Sequence, residues 1–156
     1  MVSGSSGLLP FAEKVMNRHD WNLLVINAAG DSQLSPVQLQ KSLFLIRENL
    51  PEAVGDDFYE FVPYSYGPFC AEVYQDAERL QVRNGFVHIE QGQYKQYSVT
   101  PAGRNRSTEI ESHLAPETVD YVHRVVAWAK SLSFNELVQA IYQKYPEYRV
   151  NSVFQG

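Results

Sequence analysis

The chain of 156 residues has a single cysteine, Cys70, so no disulfide can form within it. Its stability must come from a buried apolar core, which a chain of this length can build. A basic excess is also missing. Thirteen Lys and Arg stand against eighteen Asp and Glu, a formal charge of −5. Nucleic-acid binders usually carry the opposite balance, because phosphate contacts supply much of their affinity. Long apolar runs are absent too: Leu23 to Ile26 and Leu43 to Ile46 are far too short to cross a bilayer. With no secretory signal legible at the start, the expectation is a cytoplasmic protein with no membrane partner.

Catalytic signatures are equally scarce. The sequence has no G-x-S-x-G elbow, Walker loop, H-E-x-x-H or C-x-x-C. Its four histidines, His19, His88, His113 and His123, fall on separate elements without metal-ligand spacing. Cys70 falls in the first turn of an expected helix, where the dipole favours a thiolate. A nucleophile also needs a base, and only a tertiary approach of His88 would supply one, so packing or capping is the reading adopted. Glu52, Asp56, Asp57 and Glu60 read as a solvated acidic loop. The expectation is a non-enzymatic chain with no cofactor and no metal.

What the chain does have is ordinary globular composition, with 44% hydrophobic and 20% charged residues. It reads as a flexible leader over 1–7, one domain over 8–152 and a short tail over 153–156. Aromatic residues reach 13%, ten of them tyrosines, which can pack a ring and still hydrogen-bond at a surface.

Periodicity and capping residues predict the elements. Leu9, Ala12 and Met16 give one face to a short helix over 8–18. Asp20 reads as the cap of a helix to Ala29, with Trp21, Leu24, Val25 and Ala28 inward and Gly30 as its stop. Ser35-Pro36 opens a helix to about Asn49, with Lys41 and Arg47 placed off its apolar face. Residues 58–64 read as a strand, Tyr66-Gly67-Pro68 as a turn, and 69–83 as a helix with Phe69, Val73, Ala77 and Leu80 inward. A hairpin follows, 86–89 and 94–99 joined by Gln91-Gly92-Gln93. Three further helices start at Pro101, Pro116 and Phe134, the last with a Ser133/Glu136 capping box. Trp21 and Trp128 are expected in the core.

Helix, helix, strand, helix, hairpin is the order of a winged helix, with the hairpin as the wing. The predicted fold is mainly α (α+β), winged-helix-like, with a small β-sheet and hairpin wing and extra C-terminal helices. Those helices can pack on the core or form a dimer arm, so a homodimer is allowed.

Several segments resemble a family. Leu39-Gln40-Lys41-Ser42-Leu43-Phe44-Leu45 is similar to a helix of the SocA-like, Panacea-type domains and of the YwgA-like bacterial and archaeal proteins. Tyr64-Ser65-Tyr66-Gly67-Pro68-Phe69, followed by Glu72, Tyr74, Asp76 and Leu80, resembles their turn and helix, with Cys70 where serine is usual. Tyr97-Ser98-Val99-Thr100-Pro101-Ala102-Gly103 matches their exit from the wing. Leu132 to Leu137, and Ile141-Tyr142 to Asn151-Ser152, resemble the last helix of the YwgA-like branch. The resemblance implies a domain that binds another protein, since some Panacea-type domains act as antitoxins or proteolytic adaptors.

Two functional readings follow. The first is a protein-binding regulatory module, with Tyr64, Tyr66 and Tyr74 as partner contacts around a structural turn at Gly67 and Pro68. The alternative is a DNA-binding transcriptional regulator using Arg79, Arg83, Lys95, Arg104 and Arg106. Element order favours DNA; charge does not, since the reading helix would show Glu72, Asp76 and Glu78 to phosphates, and a helix-turn-helix needs a short turn where this chain has a long insertion.

Overall fold

The computed structural model describes residues 16–156. The leader over 1–7 and most of the expected first helix over 8–18 lie outside the described residues. The elements in order are α1 (Arg18–Ala28), α2 (Pro36–Asn49), the single turn α3 (Pro51–Val54), β1 (Val62–Tyr64), β2 (Gly67–Phe69), α4 (Ala71–Arg79), β3 (Val87–Gln91), β4 (Lys95–Val99), α5 (Pro101–Glu111), α6 (Pro116–Lys130) and α7 (Phe134–Lys144). A π-helical turn (Leu80–Asn84) extends α4, and a 3-10 turn (Pro146–Arg149) follows α7. The fold is mainly α with a small β component, as the sequence predicts; of its two antiparallel hairpins only β3–β4 was expected, and Phe69, read as the start of a helix, lies in β2.

Helix α1 is the central element. Residues Asp20 to Asn27 are all buried, because α2, α4, α5, α6 and β4 surround it. Asn17, not Asp20, caps it: Asn17 Oδ1 accepts from the Asp20 amide at 3.0 Å, and the Asp20 carboxylate accepts from the Asn17 amide at 3.1 Å. Asp20 is thus the N3 partner of a capping box rather than the cap itself. Ser35 and Gln38 form the same box at α2, and Ser133 and Glu136 at α7.

Leu34, just ahead of α2, exchanges both backbone hydrogen bonds with Tyr97 of β4, at 2.8 and 2.9 Å. One residue therefore adds a third rung to the β3–β4 hairpin and ties it to the start of α2. At the other side of the hairpin, Thr100 caps α5 and donates to the Gly85 carbonyl at 2.6 Å. Gly103 then packs so closely on the hairpin base that a Cβ there would overlap the Phe86 carbonyl.

Residues 50–70 depart most from expectation. The strand predicted over 58–64 is confined to Val62–Tyr64. Phe58, Tyr59 and Phe61 instead turn into the core without strand pairing. Their rings meet edge-on with one another and with Trp21 and Phe44, so aromatic packing overrides the alternating pattern. The turn itself is Ser65-Tyr66, and Gly67 and Pro68 open β2 opposite Tyr64 and Pro63. Trp128 is also misassigned: it is 40% exposed on α6 while Trp21 is buried. The C-terminal helices pack on the body of the fold, α6 on α1 and α2, and α7 on β2. None of the described helices is long and apolar enough to cross a membrane.

Candidate functional site

A groove of about 740 Å³ opens on one side of the fold. Its walls are the first turns of α2, the β1–β2 hairpin, Tyr74 of α4, Tyr94 and Gln96 of the second hairpin, and residues 132–137 at the start of α7. The size and mostly apolar lining suit a binding site.

Tyr64, Tyr66 and Tyr74 all line this groove, so the fold brings the three predicted partner contacts together. Tyr64 stacks on Phe69 with centroids 4.8 Å apart, and Phe69 meets Tyr74 edge-on at 6.0 Å. Across the groove, Tyr66 meets Phe134 edge-on at 5.1 Å. Tyr74 is the half-buried member: its hydroxyl donates to the Pro36 carbonyl at 3.2 Å, and its ring stacks on Tyr97 at 6.3 Å. Burial raises the Tyr74 phenol well above the usual tyrosine range. Tyr64 and Tyr66 remain exposed.

The floor comes from two residues of α2 that periodicity alone left unassigned. Gln40 is buried and clamps the backbone of Cys70 from both sides: its Nε2 donates to the Cys70 carbonyl at 2.7 Å, and its Oε1 accepts from the Cys70 amide at 3.1 Å. Lys41, placed off the apolar face in the sequence reading, is 3% exposed. Its ammonium donates to the Pro68 carbonyl at 3.0 Å. Burial lowers this amine to about 7, because a charge in an apolar setting loses its hydration. The signal that could have found it is the pairing of motifs. The Gln40-Lys41 segment and the Gly67-Pro68 segment were each singled out, and the structure shows them bonded to each other.

Gly67 has φ +106°, open to glycine and strained for other residues. A Cβ there would lie 3.6 Å from Lys41 Cε and 3.7 Å from Lys41 Nζ. The ring of Tyr142 lies 3.6 Å from the same point, and its buried hydroxyl has no hydrogen-bond partner among the described residues. Beyond Gly67 the chain after α7 braces the hairpin. Val153 donates its amide to the Ser65 carbonyl at 2.9 Å, the Ser152 hydroxyl reaches the same oxygen at 3.3 Å, and Asn151 Nδ2 donates to the Pro63 carbonyl at 3.3 Å. The tail over 153–156 is thus tied to the groove through Val153.

The five cations of the DNA reading do not gather in one free patch. Arg79 pairs with Asp76 at 2.9 Å, Lys95 with Glu78 at 3.5 Å, and Arg104 with Asp31 at 3.4 Å. Arg106 pairs with Glu109 at 2.8 Å. Of the five, only Arg83 has no ion pair among the described residues. Asp76, expected on the outer face of its helix, is instead fully buried and receives Arg18 and His19 at 3.0 Å each.

Cys70 is buried, and its side chain makes no cap bond. Desolvation raises its thiol, the reverse of the dipole effect expected from its place at the helix start. Among the described residues no group of three or more His, Cys, Asp or Glu is arranged to hold a metal ion. Glu52, Asp56, Asp57 and Glu60 are all exposed. Compared with models of protein families, with curated proteins and with solved structures, the chain matches none.

Proposed function

We propose that the chain is a protein-binding regulatory module of winged-helix type, and that it holds an apolar segment of a partner polypeptide in the tyrosine-walled groove. The observation that carries this reading is the clustering of exposed rings. Nine large apolar or aromatic side chains are exposed among the described residues, and four of them, Tyr64, Tyr66, Tyr94 and Phe134, line this one groove. Exposed apolar groups scattered singly need no explanation, but a cluster around a concavity marks a contact surface. Aromatic residues in such places carry much of an interface's affinity. The resemblance to domains that act as antitoxins or adaptors points the same way.

The DNA-binding alternative has less support. Four of its five cations already have carboxylate partners, and pairing of that kind leaves little charge for phosphates.

The test is selection of random peptides on the whole chain, repeated with Tyr66→Ala/Phe134→Ala. Both rings lie at the surface, so the variant should fold. Peptides with apolar anchors that bind the parent and lose at least about tenfold in affinity on the variant are expected. Equal binding by both proteins, or no enriched peptide, would overturn the reading.

A further inference from the structure

We infer that the partner segment ends in the groove, with its free α-carboxylate received by the ammonium of Lys41 beside Gly67 and Tyr142. This deepens the protein-binding reading above and rests on it.

The argument starts from an imbalance. A lysine this buried is normally paired with an acid. No Asp or Glu among the described residues lies within ion-pair distance of Lys41, and its one hydrogen bond goes to the neutral Pro68 carbonyl. An ammonium has three N–H donors, so two are left for another acceptor.

The surroundings are built for an anion. The chain carries eighteen Asp and Glu, yet among the described residues none lines the groove, and Lys41 is the only charged one that does. The first residues of α2 and α7 also line it, and helix starts carry positive partial charge. The unbonded hydroxyl of Tyr142 belongs to a ring that flanks Gly67 together with Lys41. The missing side chain at Gly67 leaves Lys41 uncovered from that side, since a Cβ there would already touch its Cε and Nζ at 3.6 and 3.7 Å.

A chain end fits better than an internal acidic side chain. Lys41 lies against the β2 backbone, 3.0 Å from the Pro68 carbonyl. Lys41 is only 3% exposed at the floor of the groove, and a chain end reaches so recessed a group with one strand behind it, where an internal acidic residue brings two. A terminal carboxylate stops there and leaves its last side chains among Tyr64, Tyr66 and Phe134. Capture of a C-terminal carboxylate beside an apolar pocket is an established mode of peptide recognition. The lowered proton affinity of the amine fits this role, because an incoming carboxylate restores the charge that burial disfavours.

The experiment uses two random libraries on the whole chain, one displaying peptides with a free C-terminus and one with the C-terminus fused to the carrier. The best binder is then made as the free acid and as the amide. Enrichment from the free-end library alone is expected, with the amide at least about tenfold weaker on the parent and the two forms equal on Lys41→Met. Acid and amide equal within about twofold on the parent would overturn this inference while leaving the groove as a binding surface, and so would enrichment of internal motifs from the fused library. That comparison uses unaltered protein, so it stands even if the Met variant folds poorly. Failure of both libraries would overturn the inference and the protein-binding reading together.

Discussion

The hydroxyl of Tyr59 donates to the carboxylate of Asp76 at 2.7 Å, with both groups buried. Tyr59 comes from the insertion after α3 and Asp76 from α4, so the bond fastens the insertion to the helix that follows it. Asn22 of α1 completes the junction, donating to the Tyr59 hydroxyl and to the Val73 carbonyl at 3.0 Å each. Arg18 Nε and Arg79 Nη1 lie 3.0 and 2.9 Å from the same carboxylate.

Removing the carboxylate leaves those cations without their common partner. Asp76→Ala should lose about 2–4 kcal/mol of stability, because it empties a buried site and strips the Tyr59 hydroxyl of its acceptor, while the arginines left behind are partly exposed and solvated. Tyr59→Phe should lose only about 1–2 kcal/mol, because it leaves the Asp76 carboxylate short of one donor among several and one Asn22 N–H short of its acceptor. Urea unfolding of both variants checks the order. Equal losses would mean that the carboxylate is not the centre of the cluster.

Lys41 predicts a pH dependence of stability. Its folded value is about 7, against about 10.4 for a free lysine. Between those limits the unfolded chain holds a proton that the folded chain has released, so stability rises with pH across that window. Below pH 7 the burial penalty is fully present. Lys41→Met should therefore be more stable than the parent by a few kcal/mol at pH 6, net of about 1 kcal/mol for the lost Pro68 bond. The advantage should shrink steadily towards pH 10. Carboxylates titrate alike in both proteins, so the difference between the two urea series isolates this amine. A constant difference across the range would contradict the assignment.

Gly103 is the point where α5 touches the hairpin base. A methyl group there would overlap the Phe86 carbonyl, and Val99 Cγ2 would lie 2.9 Å from it. Gly103→Ala should cost at least about 2 kcal/mol, an overpacking penalty against backbone that cannot swing aside. Amide shifts should move in β3 and β4 and stay unchanged in α7. A neutral substitution would show that the hairpin is free to lift away from α5.

The paired cations predict weak nucleic-acid binding. Fluorescence anisotropy with random duplex DNA should show no binding tighter than about 10 micromolar at 0.15 M salt. Micromolar binding that falls steeply with salt and disappears in Arg83→Ala would reverse the ranking of the two functional readings.

The sequence made the element order legible because its punctuation is strong. Ser35-Pro36, Thr100-Pro101, Ala115-Pro116 and Ser133 each mark a helix start within a residue of the observed one. The three tyrosines around one turn were legible as a cluster, and they do share a groove. Lys41 was not legible. A charged residue on an amphipathic helix reads as solvent-facing, and only the arrival of β2 from a distant segment covers it. Asp76 was hidden in the same way, since its partners Arg18, His19 and Arg79 come from two helices. Phe58, Tyr59 and Phe61 mimic a strand by composition, and nothing local reveals that three aromatic neighbours will dive into the core instead.

The brace from Val153 to Ser65 has a consequence for synthesis. The hairpin bearing Tyr64 and Tyr66 leaves the ribosome almost ninety residues before the segment that secures it. Chains emerge and fold from their beginnings, so α1, α2 and α4 can assemble while the α7 wall of the groove and its brace are still untranslated. Among the described elements the groove is completed last. A polypeptide that stalls or is clipped before Phe134 would display a groove without its α7 wall, and a ligand that needs that wall would tell such copies from those that carry it.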